Sequence, residues 1–259
     1  MPEPTTSAGI GALDTLDPDR VAPLLRGRFG SPYLYVPSCE STQQLLTADL
    51  PEGSVAVTEH QRDGRGRLGR VWEAPAGRAI LCSILLRPPP KRLAQQLSLI
   101  GGIAVALAVE HALGRPCGLK WPNDVLVGDG KIAGLLAEAR GDQVVLGFGI
   151  NVNQSVGELP ALPVRSATSL FVTDGVRRDR ASLLADVLRE LERLYDAWIG
   201  GGFSAVAPEL STRDVLRGRS VTVAGRRGTA VGIAEDGQLE LQLGAERLLV
   251  SSGDVSYEG

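Results

Sequence analysis

Cysteine is scarce in this chain of 259 residues: Cys39, Cys82 and Cys117 are the three, widely spaced and without a C-x-x-C pair. So placed, they exclude the usual zinc patterns and read as reduced thiols of a cytoplasmic protein. A basic excess is missing too. The formal net charge is −3, which argues against wholesale nucleic-acid binding and makes any anion site a local one. Met1 to Arg20 contain neither the basic nor the apolar region of a secretory signal, and no apolar run reads as a membrane span. No G-x-x-x-x-G-K-[ST] occurs, so a P-loop is unsupported. There is no internal repeat.

What is present is an unusual loop, Gly64-Arg65-Gly66-Arg67-Leu68-Gly69-Arg70. Glycine lets a ligand approach the main chain closely. Arginine offers planar, permanently charged donors that suit carboxylate and phosphate. Guanidiniums this close repel one another until an anion sits among them, so the loop is expected to order on a ligand. The glycines also spell G-x-G-x-x-G, but a dinucleotide fingerprint must open a helix at its last glycine. Here Val71-Trp72-Glu73-Ala74-Pro75 follows, with no helical period.

Met1 to Gly11, rich in Pro, Thr, Ser and Gly, is expected to be disordered. A short helix is expected over Asp17 to Arg28, with Asp17 as its cap and Pro18 in its first turn. Tyr33 to Val36, Ser54 to Glu59 and Ala79 to Arg87 read as strands, and a helix is expected through Leu45 and Leu46. Ser41 and Thr42 stand just before that helix, either as its cap or as ligand contacts. A long core helix is predicted from Leu93 to Leu113, with Gly101-Gly102 marking close packing or a bend. Three strand candidates follow over Leu119 to Val127, Lys131 to Glu138 and Val144 to Asn153. Asp179 to Ile199 is an amphipathic helix stopped by Gly200-Gly201-Gly202. From Gly218 onward five short strands, with Asp236-Gly237 as a hairpin turn, indicate a small β-barrel. The fold class is therefore α+β, an antiparallel or mixed sheet with flanking helices. Its expected parts are an N-terminal segment 1–30, a catalytic domain 31–214 and a C-terminal domain 215–259.

Three polar islands interrupt the apolar segments: Lys120-Trp121-Pro122-Asn123-Asp124, Lys131, and Gly147-Phe148-Gly149-Ile150-Asn151. Each alone is open to a bland reading as a turn, a solvated strand end or a satisfied core amide. Together with the loop they supply cations, an acid, amides and glycine floors. That set suits the activation of a carboxylate by a nucleoside triphosphate.

In order and approximate spacing, Glu40-Ser41-Thr42, Gln61 through Arg70, Lys120 to Asp124, Lys131-Ile132-Ala133-Gly134 and Gly147 to Asn151 resemble the motifs of biotin protein ligases. The resemblance covers about Val36 to Ser169, and the C-terminal strands fit that family's SH3-like domain. Gln43 departs from it, standing where the family usually has Asn. The resemblance implies a class II synthetase-like catalytic domain that uses ATP and Mg²⁺ to make biotinyl-5′-adenylate and then biotinylates a lysine of a biotin carboxyl carrier protein. Arg67 and Lys131 would be catalytic, neutralising carboxylate and α-phosphate. Ser41, Thr42, Gln61, Gly64, Arg65, Gly66, Gly134, Gly147 and Gly149 would complete the biotin site. Arg70, Trp72, Lys120, Asn123, Asp124 and Asn151 would join Arg67 and Lys131 at ATP, with Asp124 a possible metal neighbour. Tyr33 stands too near the start for a winged helix to precede it, so a monofunctional type without DNA binding is expected; a homodimer is compatible. A lipoate ligase and a nucleic-acid-binding regulator are the rival readings.

Overall fold

The computed structural model describes residues 14–161 and 166–257, so the expectation of disorder for Met1 to Gly11 lies outside the described residues. Its centre is a seven-stranded sheet in the order β1-β2-β3-β7-β6-β5-β4. The strands are β1 (Tyr33–Val36), β2 (Val55–Thr58), β3 (Ala79–Leu86), β4 (Gly118–Lys120), β5 (Asp124–Val127), β6 (Gly130–Arg140) and β7 (Gln143–Asn151). The β1–β2 pair is parallel and the remaining ladders are antiparallel, so the sheet is mixed. Hairpin-length connections make β5–β6–β7 a meander, as short strands joined by tight turns dictate.

One face of the sheet is covered by α2 (Leu97–Leu113) and α4 (Arg180–Gly201). Period-two alternation sends Ile80, Cys82, Ile84, Leu86, Val144, Leu146, Phe148 and Ile150 toward these helices. Ser83, Gly147 and Gly149 are thereby left for the opposite face. Gly101 answers the choice between packing and bend. A Cβ there would lie 2.6 Å from Leu135 Cδ2 and 2.9 Å from Leu146 Cδ2, so the glycine admits the sheet's side chains onto the helix. Ala94–Leu113 is in fact long and apolar enough to cross a membrane by composition, contrary to the sequence expectation, but it is mostly buried. An all-round apolar helix packed against both a sheet and a second helix is a core helix. Asp179 is the cap of α4, accepting from Ala181 N, rather than its first residue, and the helix runs on through Gly200 and Gly201 before Gly202 ends it at φ 82°.

Three local expectations are corrected. The first helix is short: α1 (Pro18–Val21) continues only as a 3-10 turn over Ala22–Leu24, although Asp17 caps it as expected. The helix through Leu45 is a 3-10 turn over Thr42–Leu45, and Ser41 makes no side-chain cap bond to it. The segment Leu119 to Val127 is two strands, β4 and β5, paired back on each other. A cis Trp121–Pro122 peptide lies between them. Proline without an N–H cannot continue a ladder, so the chain turns there.

After α3 (Leu170–Asp174), α4 and α5 (Ala207–Ser211), five antiparallel strands form a second sheet, order β11-β10-β9-β8-β12. They are β8 (Ser220–Val223), β9 (Arg226–Ile233), β10 (Leu239–Leu243), β11 (Glu246–Val250) and β12 (Val255–Tyr257). Its Asp236-Gly237 hairpin, with Gly237 at φ 87°, docks on the first domain. Gln95 Nε2 donates to Asp236 O, Gln96 Nε2 to Glu235 O, and buried Trp121 Nε1 to Gly237 O at 3.0 Å. Trp121→Phe keeps the ring but orphans that carbonyl. Leaving a buried acceptor unpaired costs roughly 1–3 kcal/mol, so the urea midpoint of unfolding is expected to fall. An unchanged midpoint would show that this bond does not fasten the two sheets together.

Candidate active site

The face of the sheet left bare by the helices is a polar and glycine-lined floor. Register places Ser83 opposite Gly147, Gly147 opposite Leu136, and Gly149 opposite Gly134. β7 is buried throughout, and only at Gly147 and Gly149 is this face free of side chains. Trp72 lies on this floor. A Cβ on Gly149 would stand 2.3 Å from its Cε2, and one on Gly134 2.9 Å from its Cζ3. Only glycine admits the indole here. Its Nε1 is buried without a hydrogen-bond partner.

The glycine-arginine loop delivers that tryptophan. Gly66 N donates to Arg70 O and Trp72 N to Gly64 O, each at 2.8 Å, closing the loop as a small hairpin. Leu68, at φ 56°, is at its exposed tip. A Cβ on Gly64 would lie 2.2 Å from Trp72 O, which explains glycine at that position.

Two cavities meet at Trp72 and Gly66. The first, about 40 Å³ within about 450 Å³ that includes open solvent, is lined by Ser41, Thr42, Gln61, Arg65, Gly134, Gly147 and Gly149 among others. The second, about 1630 Å³ including open solvent, is lined by Arg67, Arg70, Lys120, Asn123, Asp124, Lys131 and Asn151 among others. Of the residues assigned to biotin, Ser41, Thr42, Gln61, Arg65, Gly66, Gly134, Gly147 and Gly149 line the first, whereas Arg67 and Lys131, assigned to both ligands, line only the second. Gly66 and Trp72 line both, and Gly64 stands behind the loop against Trp72.

At the closed end of the first cavity, Gln61 Oε1 accepts from Thr42 N at 2.8 Å and Thr42 Oγ1 at 3.1 Å. Thr42 Oγ1 lies 2.7 Å from Ser83 Oγ. In the second, Lys131 Nζ pairs with Asp124 Oδ1 at 2.7 Å and stands 5.6 Å from the Trp72 ring centre. Burial pushes the half-buried Arg67 guanidinium down from its ordinary pKa, while Asp254 and Asp124 push it up. Arg70 is paired with Asp254 of the C-terminal sheet, Arg65 lies 3.9 Å from Asp63, and Lys120 Nζ is 6.0 Å from the Tyr257 ring. Among the described residues no cluster of three potential metal ligands occurs. Asp124 and Asp254 both line the cleft, each already facing a cation.

Two amides read as nucleotide contacts are engaged within the fold. Asn123 Nδ2 donates to Leu135 O at 2.7 Å, stitching the β4–β5 turn to β6. Asn151 Nδ2 donates to Thr168 O and its Oδ1 accepts from Gln154. Both residues line the larger cleft as walls, with these amide bonds already made.

Residues 35–154 match the biotin/lipoate A/B protein ligase family, and residues 217–257 match the biotin protein ligase C terminal domain. The biotin–[acetyl-CoA-carboxylase] ligase of Mycobacterium tuberculosis is 39% identical over 220 residues, spanning 81% of this chain and 80% of that protein. The chain belongs to the biotin protein ligase family. The bifunctional ligase/repressor BirA of Bacillus subtilis is 31% identical, covering 87% of this chain and 74% of the relative. The biotin protein ligase of Aquifex aeolicus, solved with biotin and ATP, superimposes with a TM-score of 0.78 at 30% identity, over 87% of this chain and 97% of that one.

Sequence reasoning missed several residues of this ligase-family site. Ser83 lines the smaller cavity, and Glu73, Asp254 and Val255 the larger. Ser83 had a signal, as the one hydroxyl inside the apolar run Ala79–Leu86. Asp254 had none, because only the docking of the second sheet brings it to Arg70.

Proposed function

We propose that this chain is an ATP-dependent ligase that activates biotin as biotinyl-5′-adenylate and transfers it to a lysine of a carboxyl carrier protein. The observation that carries the reading is the adjoining of the two cavities at Trp72 and Gly66, with Arg67 and Lys131 at the boundary. The glycine floor of the first suits the biotin bicycle once the Trp72 indole moves off Gly134 and Gly149, and the large cationic cleft suits ATP. Two anions repel, so a carboxylate reaches an α-phosphate only where fixed cations offset both charges.

In the first step a carboxylate oxygen of biotin attacks the α-phosphorus, the bond to the bridging oxygen breaks, and pyrophosphate leaves. Arg67 and Lys131 hold the negative charge that gathers at the junction. In the second, the neutral lysine amine attacks the acyl carbon, AMP leaves, and the amide forms as the nitrogen loses its proton. Ser41, Thr42 and Gln61 hold the ureido end or line its pocket, with Gly64, Arg65 and Gly66 of the loop completing the biotin site over the floor of Gly134, Gly147 and Gly149. Trp72 flanks the adenine side, Arg70 and Lys120 face the phosphates, and Asn123, Asp124 and Asn151 form the wall. Mg²⁺ would be held by the nucleotide's phosphates and would offset their charge, with Asp124, paired with Lys131, the acid that would stand near it. Three buried, unpaired cysteines suit a reducing cytoplasm.

The test is pyrophosphate release. With ATP and Mg²⁺, biotin is expected to drive it and lipoate is not; adding a carrier domain converts the adenylate into AMP and a labelled carrier. Equal release with lipoate would transfer the assignment to the lipoate branch.

A further inference from the structure

The β6–β7 ladder ends at Ala133 and Ile150, short of Lys131. Past that pair the main chain of Lys131 is bonded by a different segment. Lys131 N donates to Ser166 O at 3.0 Å, and Thr168 N donates to Lys131 O at 2.9 Å. This Lys131–Ala167 pairing is a single isolated bridge, without further rungs to hold it. On the other side of the strand the β5–β6 register shifts between Val125 and Leu126, which face Ala133 and Lys131. The residue that carries the ammonium therefore lies at the least regular part of β6, and its backbone is only as well placed as the segment 166–168.

Gln154 ties that segment down twice. It is 0% exposed and lines neither cavity of the site. The first tie runs through Asn151. Val152 N can only donate, so Gln154 presents Oε1 to it, at 2.8 Å. Thr168 O can only accept, so Asn151 presents Nδ2 to it, at 3.0 Å. The link between the two amides is then forced, with Gln154 Nε2 donating to Asn151 Oδ1 at 2.8 Å. A backbone donor fixes one end of this relay and a backbone acceptor the other, so neither amide can flip without losing two bonds. The second tie is to the main chain of Gln154, whose carbonyl accepts from Ser169 Oγ at 2.6 Å.

We propose that Gln154 is a positioning residue for Lys131, fixing through Asn151 and Ser169 the short segment that carries the Lys131 main chain. Its effect on the reaction rests on the ligase reading above. Lys131 Nζ stands 2.7 Å from Asp124 and 5.6 Å from the Trp72 ring centre, so a displaced main chain changes both distances. Gln154→Met keeps the length of the side chain and removes both of its bonds.

The experiment reads position first and rate second. The chain has three lysines, Lys91, Lys120 and Lys131. Reductive ¹³C-methylation of the full chain gives one signal for each beside that of the N-terminus, and Lys131→Ala identifies the one that matters. Near an indole ring that signal reports position through the ring current. Gln154→Met is expected to move the Lys131 signal and to leave those of Lys91 and Lys120 in place. An unmoved Lys131 signal, or an equal movement of Lys120 in the same cleft, overturns the assignment. In unmethylated protein, biotin-dependent pyrophosphate release should fall by about ten- to a hundred-fold, the scale of a misplacement of about 1 Å. Introduced into Lys131→Ala, the same substitution should cost almost nothing more, because residues that act as a unit are not additive. The same fold-loss in both backgrounds overturns the assignment. If Gln154→Met does not fold, Ser169→Ala, which cuts the main-chain tie, takes its place in both measurements, with an expected loss of about two- to ten-fold. A wild type without biotin-dependent release removes the ligase reading, and the lysine signals then decide the role of Gln154 by themselves.

Discussion

Lys131→Ala is expected to remove biotin-dependent pyrophosphate release by a factor on the order of 10²–10³, the usual effect of deleting one fixed donor on developing charge. Lys131 is the second residue of β6 at the cleft rim, with only 19% of its side chain exposed, and its ammonium is 2.7 Å from Asp124. Removing it does two things. The carboxylate–phosphate junction loses a cation, and Asp124 becomes an unpaired negative charge beside the triphosphate. The loss should therefore include weaker ATP binding, and the double variant Lys131→Ala with Asp124→Asn should regain part of that affinity but little of the rate. Near-normal pyrophosphate release by a folded Lys131→Ala protein would take Lys131 out of the reaction.

Arg67→Gly should have a different signature. Among the described residues Arg67 has no ion-pair partner, whereas its neighbours Arg62, Arg65 and Arg70 face Glu40, Asp63 and Asp254. It is the loop's available cation, half withdrawn from water beside the boundary of the two cavities. An adenylate is a mixed anhydride open to any amine, so it must be held until the carrier lysine arrives. Losing one charge-assisted hydrogen bond costs roughly 1.5–3 kcal/mol, enough to speed escape of the intermediate by about one to two powers of ten. Lys131 and the slot remain, so adenylate is still made. The variant should bind biotin more weakly and label an unrelated lysine-rich protein incubated with it, biotin, ATP and Mg²⁺. An unlabelled bystander in a reaction that demonstrably makes adenylate would show that Arg67 does not retain the intermediate.

Local chemistry determined much of this protein from its sequence. The amphipathic period of α4 was legible, and its ends fall within two residues of the sequence reading because capping and glycine act within one turn. The buried strand β3 was legible as an uninterrupted apolar run. The glycine-arginine loop and the Lys120-to-Asp124 island marked the site because neither composition suits a core. Only the tertiary structure decided how those residues are spent. Asn151, a ligand candidate by motif, makes bonds to Thr168 and Gln154, and Trp121 turns away to hold Gly237. Arg70 is paired with Asp254, and Gln43 Nε2 packs over Gly147 where β3, β6 and β7 lie in register. A hydrogen bond is a matter of a few ångströms in space. Partners a hundred residues apart meet only when the sheet order and the docking of the second domain bring them together.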